Sequence, residues 1–143
     1  MNLLISTCDI ETAVYISRQI SELEAPYGVG EYEKRFNGTP HLLLAAYDGE
    51  TPIGFKAGYE RDGYFYSWMG GVLPAYRRAG VAKALADAQE IWVKEQGYDS
   101  ITFKTRNVHK AMLIFALSNG FNIIAAEEKE VVAANRIWLR KLL

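Results

Sequence analysis

The stretch Val72-Leu73-Pro74-Ala75-Tyr76-Arg77-Arg78-Ala79-Gly80-Val81-Ala82-Lys83 separates a strand-like run from the clearest amphipathic helix in the chain. After Pro74 the apolar period changes: Val81, Leu85, Ala88 and Trp92 share one helical face, and Lys83, Asp87, Glu90 and Lys94 lie on the other. A turn that carries two arginines and a glycine into a helix N-terminus suits an anion, because the first helical N–H groups have no partner and the positive end of the dipole faces them. That preference is worth about 0.3–1 kcal/mol when exposed and up to about 2 kcal/mol when partly buried. Gly80 removes a Cβ that would hold a phosphate off the backbone, Ala82 keeps the next approach small, and Arg77 and Arg78 add charge. The alternative is a solvated turn, since short glycine motifs recur by chance.

Working back from this turn, Tyr64 to Leu73, Pro52 to Glu60 and His41 to Tyr47 read as three antiparallel strands joined around Arg61-Asp62-Gly63 and Asp48-Gly49. Before them, Asn2 to Thr7 reads as a strand. Asp9 then reads as the N-cap of a helix with Ala13, Ile16, Ile20 and Leu23 on one face. Ala25-Pro26-Tyr27-Gly28 breaks that helix, and Gly30 to Phe36 forms a second, short one. Working forward, Gly97 ends the long helix and Ser100 to Thr105 is a buried strand. Asn107 is the expected cap of a further helix that Gly120 terminates, and Phe121 to Ala126 and Val131 to Leu142 are the last strands. The order is that of an α/β fold, a mixed sheet of about seven strands with helices on both faces.

The 143 residues and half-hydrophobic composition fit one domain, 1–143. Sixteen basic and seventeen acidic residues nearly cancel, which leaves no general field for nucleic acid or an anionic membrane. The single cysteine, Cys8, the absence of an export pattern and of any apolar run near the roughly 20 residues of a membrane span lead us to expect a cytoplasmic protein. Two isolated histidines, His41 and His109, form no metal motif, so no metal is expected, and neither offers Cys8 a local nucleophile pattern.

In this context Arg77-x-x-Gly80-x-Ala82, preceded by Val72-Leu73-Pro74, resembles the acyl-CoA signature of the GNAT superfamily of N-acetyltransferases. Asn107 to Phe121 is similar to the family's second motif, ending in Gly-Phe, and Trp138-Leu-Arg-Lys-Leu to its final strand. The resemblance implies a mostly antiparallel sheet whose fourth and fifth strands splay apart, with acetyl-CoA as cosubstrate lying in the cleft. On the matching positions it implies that main-chain groups of Gly70 and Val72 meet the pantetheine amides. It further implies that Arg77, Arg78, Ala79, Gly80, Val81, Ala82 and Lys83 cradle the pyrophosphate, and that Asn107 touches the cofactor arm. Gly70-Gly71 departs from the family pattern, and paired glycines in a strand mark a bulge, a close backbone approach or a simple kink.

Acetyl transfer needs a neutral amine. For a pKa near 10.4, deprotonation at pH 7 costs roughly 4–5 kcal/mol, and the thioester carbonyl then needs an oxyanion donor and the leaving thiolate an acid. The family's usual base position on the fourth strand falls near Tyr66, which is not an acid, and its usual thiolate-protonating tyrosine is here Ala116 beside Phe115. That favours a water relay and makes Tyr66 the expected proton-transfer residue, with Tyr64 and Tyr76 as substitutes and Glu60 and Asp62 as a base acting through water. The acceptor is expected to be a primary amine of a small molecule or peptide, entering past Glu22, Glu24, Tyr27, Glu31 and Tyr32. Their carboxylates suit a cationic amine, or else are simply solvated. A homodimer is compatible with the family. The competing reading is a catalytically silent acyl-CoA-binding or regulatory module.

Overall fold

The chain alternates β1 (Leu3–Thr7), α1 (Ile10–Ser17), α2 (Val29–Phe36), β2 (His41–Asp48), β3 (Thr51–Arg61), β4 (Tyr64–Val72), α3 (Val81–Glu95), β5 (Ser100–Arg106), α4 (Lys110–Ser118), β6 (Asn122–Glu127) and β7 (Arg136–Leu142). These ranges come from a computed structural model that describes residues 1–23 and 26–143. The seven strands form one sheet in the order β1-β2-β3-β4-β5-β7-β6, antiparallel throughout except for the β4–β5 pair. On one face α1 and α2 bury Ala13, Ile16 and Phe36 against Phe55 and Ala57. On the other, α3 buries Val81 and Leu85 against Leu44, Ile53 and Phe65, and Ala116 of α4 packs on Ile137 and Leu139. Helices on both faces of a mixed sheet are what the sequence pattern implies.

Several boundaries differ from expectation for local reasons. Asp9 caps α1 as expected, accepting from the Thr12 N–H at 2.9 Å. The helix stops at Ser17, whose hydroxyl donates to Val14 O in the last turn, and the chain continues in i→i+3 turns. Those turns still deliver Ile20 to the core. The expected helix break at 25 lies outside the described residues. Asn107 does not cap α4: His109 occupies the N-cap position, and the Asn107 side chain instead donates to Val132 O and accepts from Lys110. The last strand begins at Arg136 rather than Val131 because residues 132–134 turn once as a 3-10 helix.

Two features of β4 place the cleft. The β3–β4 register passes from Ala57 opposite Met69 to Gly58 opposite Ser67, so Trp68 is an extra residue and β4 is bulged there. The glycine pair is not the bulge. A Cβ on Gly71 would come within 2.6 Å of Ile20 Cδ1, and one on Gly70 within 3.2 Å of Phe55 O, so both positions serve close approach. Pairing of β4 with β5 is confined to Phe65 opposite Ile101 and Tyr66 opposite Thr102, immediately before the bulge. Leu73 N–H donates to Ile53 O on the β3 side, so by strand alternation Gly70 and Val72 turn their amides toward the side from which β5 has diverged.

Gly54, Lys56 and Gly58 occupy alternate positions of β3 on the α3 side: added Cβ atoms at the two glycines would meet Leu85 and the Phe65 ring. Lys56, opposite Leu44 and Gly70, has no ion-pair partner among the described residues, and desolvation pushes its ammonium down to about 8. Because the folded value lies below the free-lysine value, the stability that depends on it is fully present above the free value and lost as pH falls through about 8. Lys56→Met is expected to stabilise the fold at pH 7 by about 1–2 kcal/mol, the full shift being discounted for the side chain's residual solvent contact. Urea denaturation at pH 7 and at pH 10 checks this: the gain must shrink at the higher pH, and a pH-independent difference refutes desolvation as its cause.

Candidate active site

Between β4 and α3 the chain makes a 3-10 turn at Pro74–Tyr76, then places Arg78 (φ 62°) and Gly80 (φ 82°) in the left-handed region. For arginine that conformation is strained, and such strain persists where surrounding structure requires it. Gly80 is the N-cap of α3 and brings no side-chain cap; the first helical bond runs from Ala84 N–H to Gly80 O at 3.0 Å. The N–H groups of Val81, Ala82 and Lys83 are therefore left without helical acceptors, and no acidic residue in the first turn competes for them. A Cβ on Gly80 would meet no protein atom within 4 Å, so glycine provides the left-handed turn and leaves the space in front of it open. Unpaired donors at a helix start facing open space can hold a pyrophosphate.

The cations of the loop are not equivalent. Arg77 turns back: Nε donates to Val72 O at 3.1 Å, and its terminal nitrogens pair with Glu22, whose carboxyl is held below its ordinary value by that hydrogen bond. Lys83 Nζ pairs with Asp87 Oδ1 at 2.6 Å. Exposed Arg78 makes no ion pair among the described residues and is the side chain left to meet an anion. Asn107 lies beyond the end of β5, where its N–H donates to Asn135 O and its side chain ties that strand end to the 132–134 turn.

Tyr66 sits where β4 and β5 last pair, only 2% exposed, its ring edge-on to Tyr59 at 5.6 Å and tilted against Trp138 at 6.4 Å. Desolvation, and then the nearby Tyr59, push its phenol up to about 12. At neutral pH it is a hydrogen-bond donor and not a base. Ala116, at the family's usual tyrosine position, is 2% exposed and turned into the core, so no side chain from that point of α4 reaches the cleft. Glu60 accepts from Tyr98 Oη at 2.9 Å, and Asp62, at φ 52°, forms the β3–β4 turn.

The carboxylates expected around the acceptor entrance are already engaged. Glu22 is paired with Arg77 and Glu31 with Arg35; Tyr32 is wholly buried and Tyr27 lies tilted against Trp68, ring centroids 5.3 Å apart, while Glu24 lies outside the described residues. What gathers beside Tyr66 is instead cationic and aromatic. Arg61 stands 5.2 Å from the Tyr66 centroid and 6.0 Å from that of Trp138, with Lys104 5.3 Å from the latter. Arg35 sits 4.4 Å from Trp68 and donates to Tyr59 Oη at 2.7 Å. Strand alternation in Lys104-Thr105-Arg106 and Arg136-Ile137-Trp138-Leu139-Arg140 was the available signal, since it puts every second residue on the face opposite the core.

A groove lined in part by Cys8, Asp9, Glu33 and His41 includes no residue of the loop or of β4. Burial pushes the Cys8 thiol up to about 12, which leaves it inert as a nucleophile. Among the described residues no three His, Cys, Asp or Glu side chains gather as a metal site, and no helix is long and apolar enough to cross a membrane.

The fold closely matches solved acetyltransferases. Against the ribosomal-protein-S18-alanine N-acetyltransferase from Escherichia coli the TM-score is 0.85 at 15% identity, covering 98% of this chain and 93% of the other. Ard1 from Thermoplasma volcanium gives 0.83 at 17%, covering 100% and 99%, and the PaiA N-acetyltransferase from Thermoplasma acidophilum, solved in complex with coenzyme A, gives 0.76 at 17%, covering 100% of each. No protein of curated function matches the sequence. The model of the acetyltransferase (GNAT) family matches residues 8–121, and the chain belongs to that family.

Proposed function

We propose that the protein transfers an acetyl group from acetyl-CoA directly to a primary amine of a small molecule or peptide. The observation that carries this reading is the alignment of two backbone features along one strand: the free amide edge of β4 from Ser67 to Val72, and the unpaired N–H groups of Val81 to Lys83 at its end. About six residues of strand, roughly 20 Å at 3.3 Å per residue, separate Tyr66 from the loop. That span suits a cosubstrate with a pyrophosphate at one end and a reactive thioester at the other, and one relative was solved with coenzyme A.

In this reading Arg78 and the amides from Ala79 to Lys83 hold the pyrophosphate, with Arg77 bracing the loop through Val72 O and Glu22. Main-chain groups of Gly70 and Val72 meet the pantetheine arm, and Asn107 lines the far side. Acetyl-CoA supplies the thioester: the amine nitrogen bonds to its carbonyl carbon, the C–S bond breaks, and CoA leaves as a thiolate that must gain a proton. The amine's proton passes to water, since among the described residues no free carboxylate stands beside Tyr66. Tyr66 stays a phenol and donates a hydrogen bond at the reacting end, where a positioned donor is worth most. The alternative, a silent acyl-CoA-binding module, draws on the buried Ala116. If two chains pair, the exposed Ile114 and Leu117 of α4 and Ile123 of the edge strand β6 are the apolar side chains available.

Isothermal titration should show acetyl-CoA binding with Kd on the order of 1 μM–1 mM, the usual range for substrates. Gly80→Glu, which forces a carboxylate before the unpaired amides, should weaken it at least tenfold; no binding by the parent chain ends the acyl-CoA reading. Thiol release over a panel of amines then separates enzyme from module, the latter giving binding without turnover. Tyr66→Phe should lower kcat by about tenfold or more while leaving the shape of the pH profile below pH 10 as it was, since the phenol is protonated throughout that range. An unaltered kcat removes Tyr66 from the mechanism.

A further inference from the structure

The helices α1 and α2 cover β2 to β4 and leave the same face of β5 and β7 to Lys104, Arg136, Trp138 and Arg140. This face adjoins Tyr66, at the end of the cleft opposite the phosphate loop. Its charge is unbalanced. Arg61 and Lys104 both stand over Trp138, and neither has a carboxylate within 4.0 Å among the described residues. Among the described residues the acid at hand is Glu127, which accepts from Trp138 Nε1 at 2.8 Å and is shared between Arg136 at 3.6 Å and Lys129 at 3.5 Å. Lys104 registers the imbalance: its ammonium is held below the ordinary lysine value first by desolvation and then by Arg136, Arg61 and Arg35.

Unpaired like charges converging on one aromatic floor are unfavourable by themselves and are relieved by an anion. The cosubstrate's phosphates are not that anion, because the loop that fits them lies roughly 20 Å along β4. The site left for the acceptor is therefore built for negative charge, the reverse of what the carboxylates near Glu22 suggest in the sequence.

We infer that the acceptor is an anionic amine, a molecule carrying a carboxylate or phosphate group close to its primary amine, with the anion seated over Trp138 between Arg61 and Lys104. The inference rests on the acetyltransferase reading and names its substrate class. The rings of Trp138 and Tyr66 hold the two cations through their π faces, and the Arg61 guanidinium presents a fork matched to either oxyanion. With the anion there, the amine is directed toward the end of the β4–β5 pairing, where Tyr66 lies.

The test is thiol release from acetyl-CoA with matched acceptors: aspartate and glutamate against their diamides, which keep the amine and carry no carboxylate, phosphoethanolamine against ethanolamine, and spermidine as a cation. The expected result is a kcat/KM at least tenfold higher for an anionic member than for its neutral partner, with the two anion types distinguishing carboxylate from phosphate. Arg61→Gln and Lys104→Gln should each cut that preference about tenfold, mainly through KM, and Lys104→Glu should reverse it. Preference for neutral amines or spermidine overturns the anionic acceptor while leaving the transferase intact; variants that lower both partners of a pair equally also overturn it. If no amine releases thiol, the transferase reading fails, and the anion seat is judged by calorimetric titration of phosphoethanolamine and aspartate into CoA-saturated protein. Binding that weakens tenfold in Lys104→Gln supports the seat, and binding that is absent or indifferent to both glutamine variants refutes it.

Discussion

The parallel pairing of β4 with β5 lasts for two register positions, and most of the site follows from its stopping there. A sheet that paired these strands to their ends would satisfy every amide of β4 and leave no cleft. Trp68 prevents this: as the extra residue of a bulge it bends β4 directly after Tyr66, and both Trp68 and Met69 pack toward α1 and α2. Gly71 lets Ile20 press against the strand on that side, and Gly70 lets the bent strand lie close over β3. The amides so freed are those of Gly70 and Val72, and Val72 O already shows the use of the vacated edge by accepting from Arg77.

The loop at the end of β4 is the part of the site most legible in the sequence, because its determinants are local. A change of apolar period, a proline, a left-handed glycine and an uncapped helix start all lie within Pro74 to Lys83, and each acts through backbone geometry that the next few residues fix. The element order was legible for the same reason. What a short window does not encode is which cations remain free. Arg77 is taken by Glu22, which is 55 residues away, and Lys83 by Asp87 on its own helix. Asn107 misled as a cap because the 132–134 turn, distant in sequence, offers its side chain a different acceptor.

The cationic and aromatic cluster beside Tyr66 was legible least, since its residues come from α2, β3, β5 and β7 and meet only through the sheet order. Trp138 is neighbour to Lys104 because β7 inserts between β5 and β6, an arrangement no local pattern announces. Counting carboxylates near Glu22 and Glu31 leaves out the partners that the fold gives them. Those acids face Arg77 and Arg35, so what they contribute is neutralised before a ligand arrives. The sequence is nearly neutral overall, yet charge is distributed so that cations with no ion-pair partner among the described residues remain at both ends of the cleft, at Arg78 beside the helix start and at Arg61 and Lys104 beside Tyr66.

That distribution also bears on the missing acid at Ala116. Cations around a reacting centre favour the deprotonated form of any group near them, so in the proposed reaction a thiolate leaving next to Arg61 and Lys104 would be stabilised as an anion and depend less on immediate protonation. The same field lowers the pKa of a cationic amine as it approaches, easing the loss of its proton to water without a dedicated base. The buried phenol of Tyr66, pushed up to about 12, fits this arrangement as a fixed donor that need never ionise. Among the described residues neither a carboxylate base nor the usual tyrosine stands at Tyr66, which accords with the proposed reaction, in which protons pass through water.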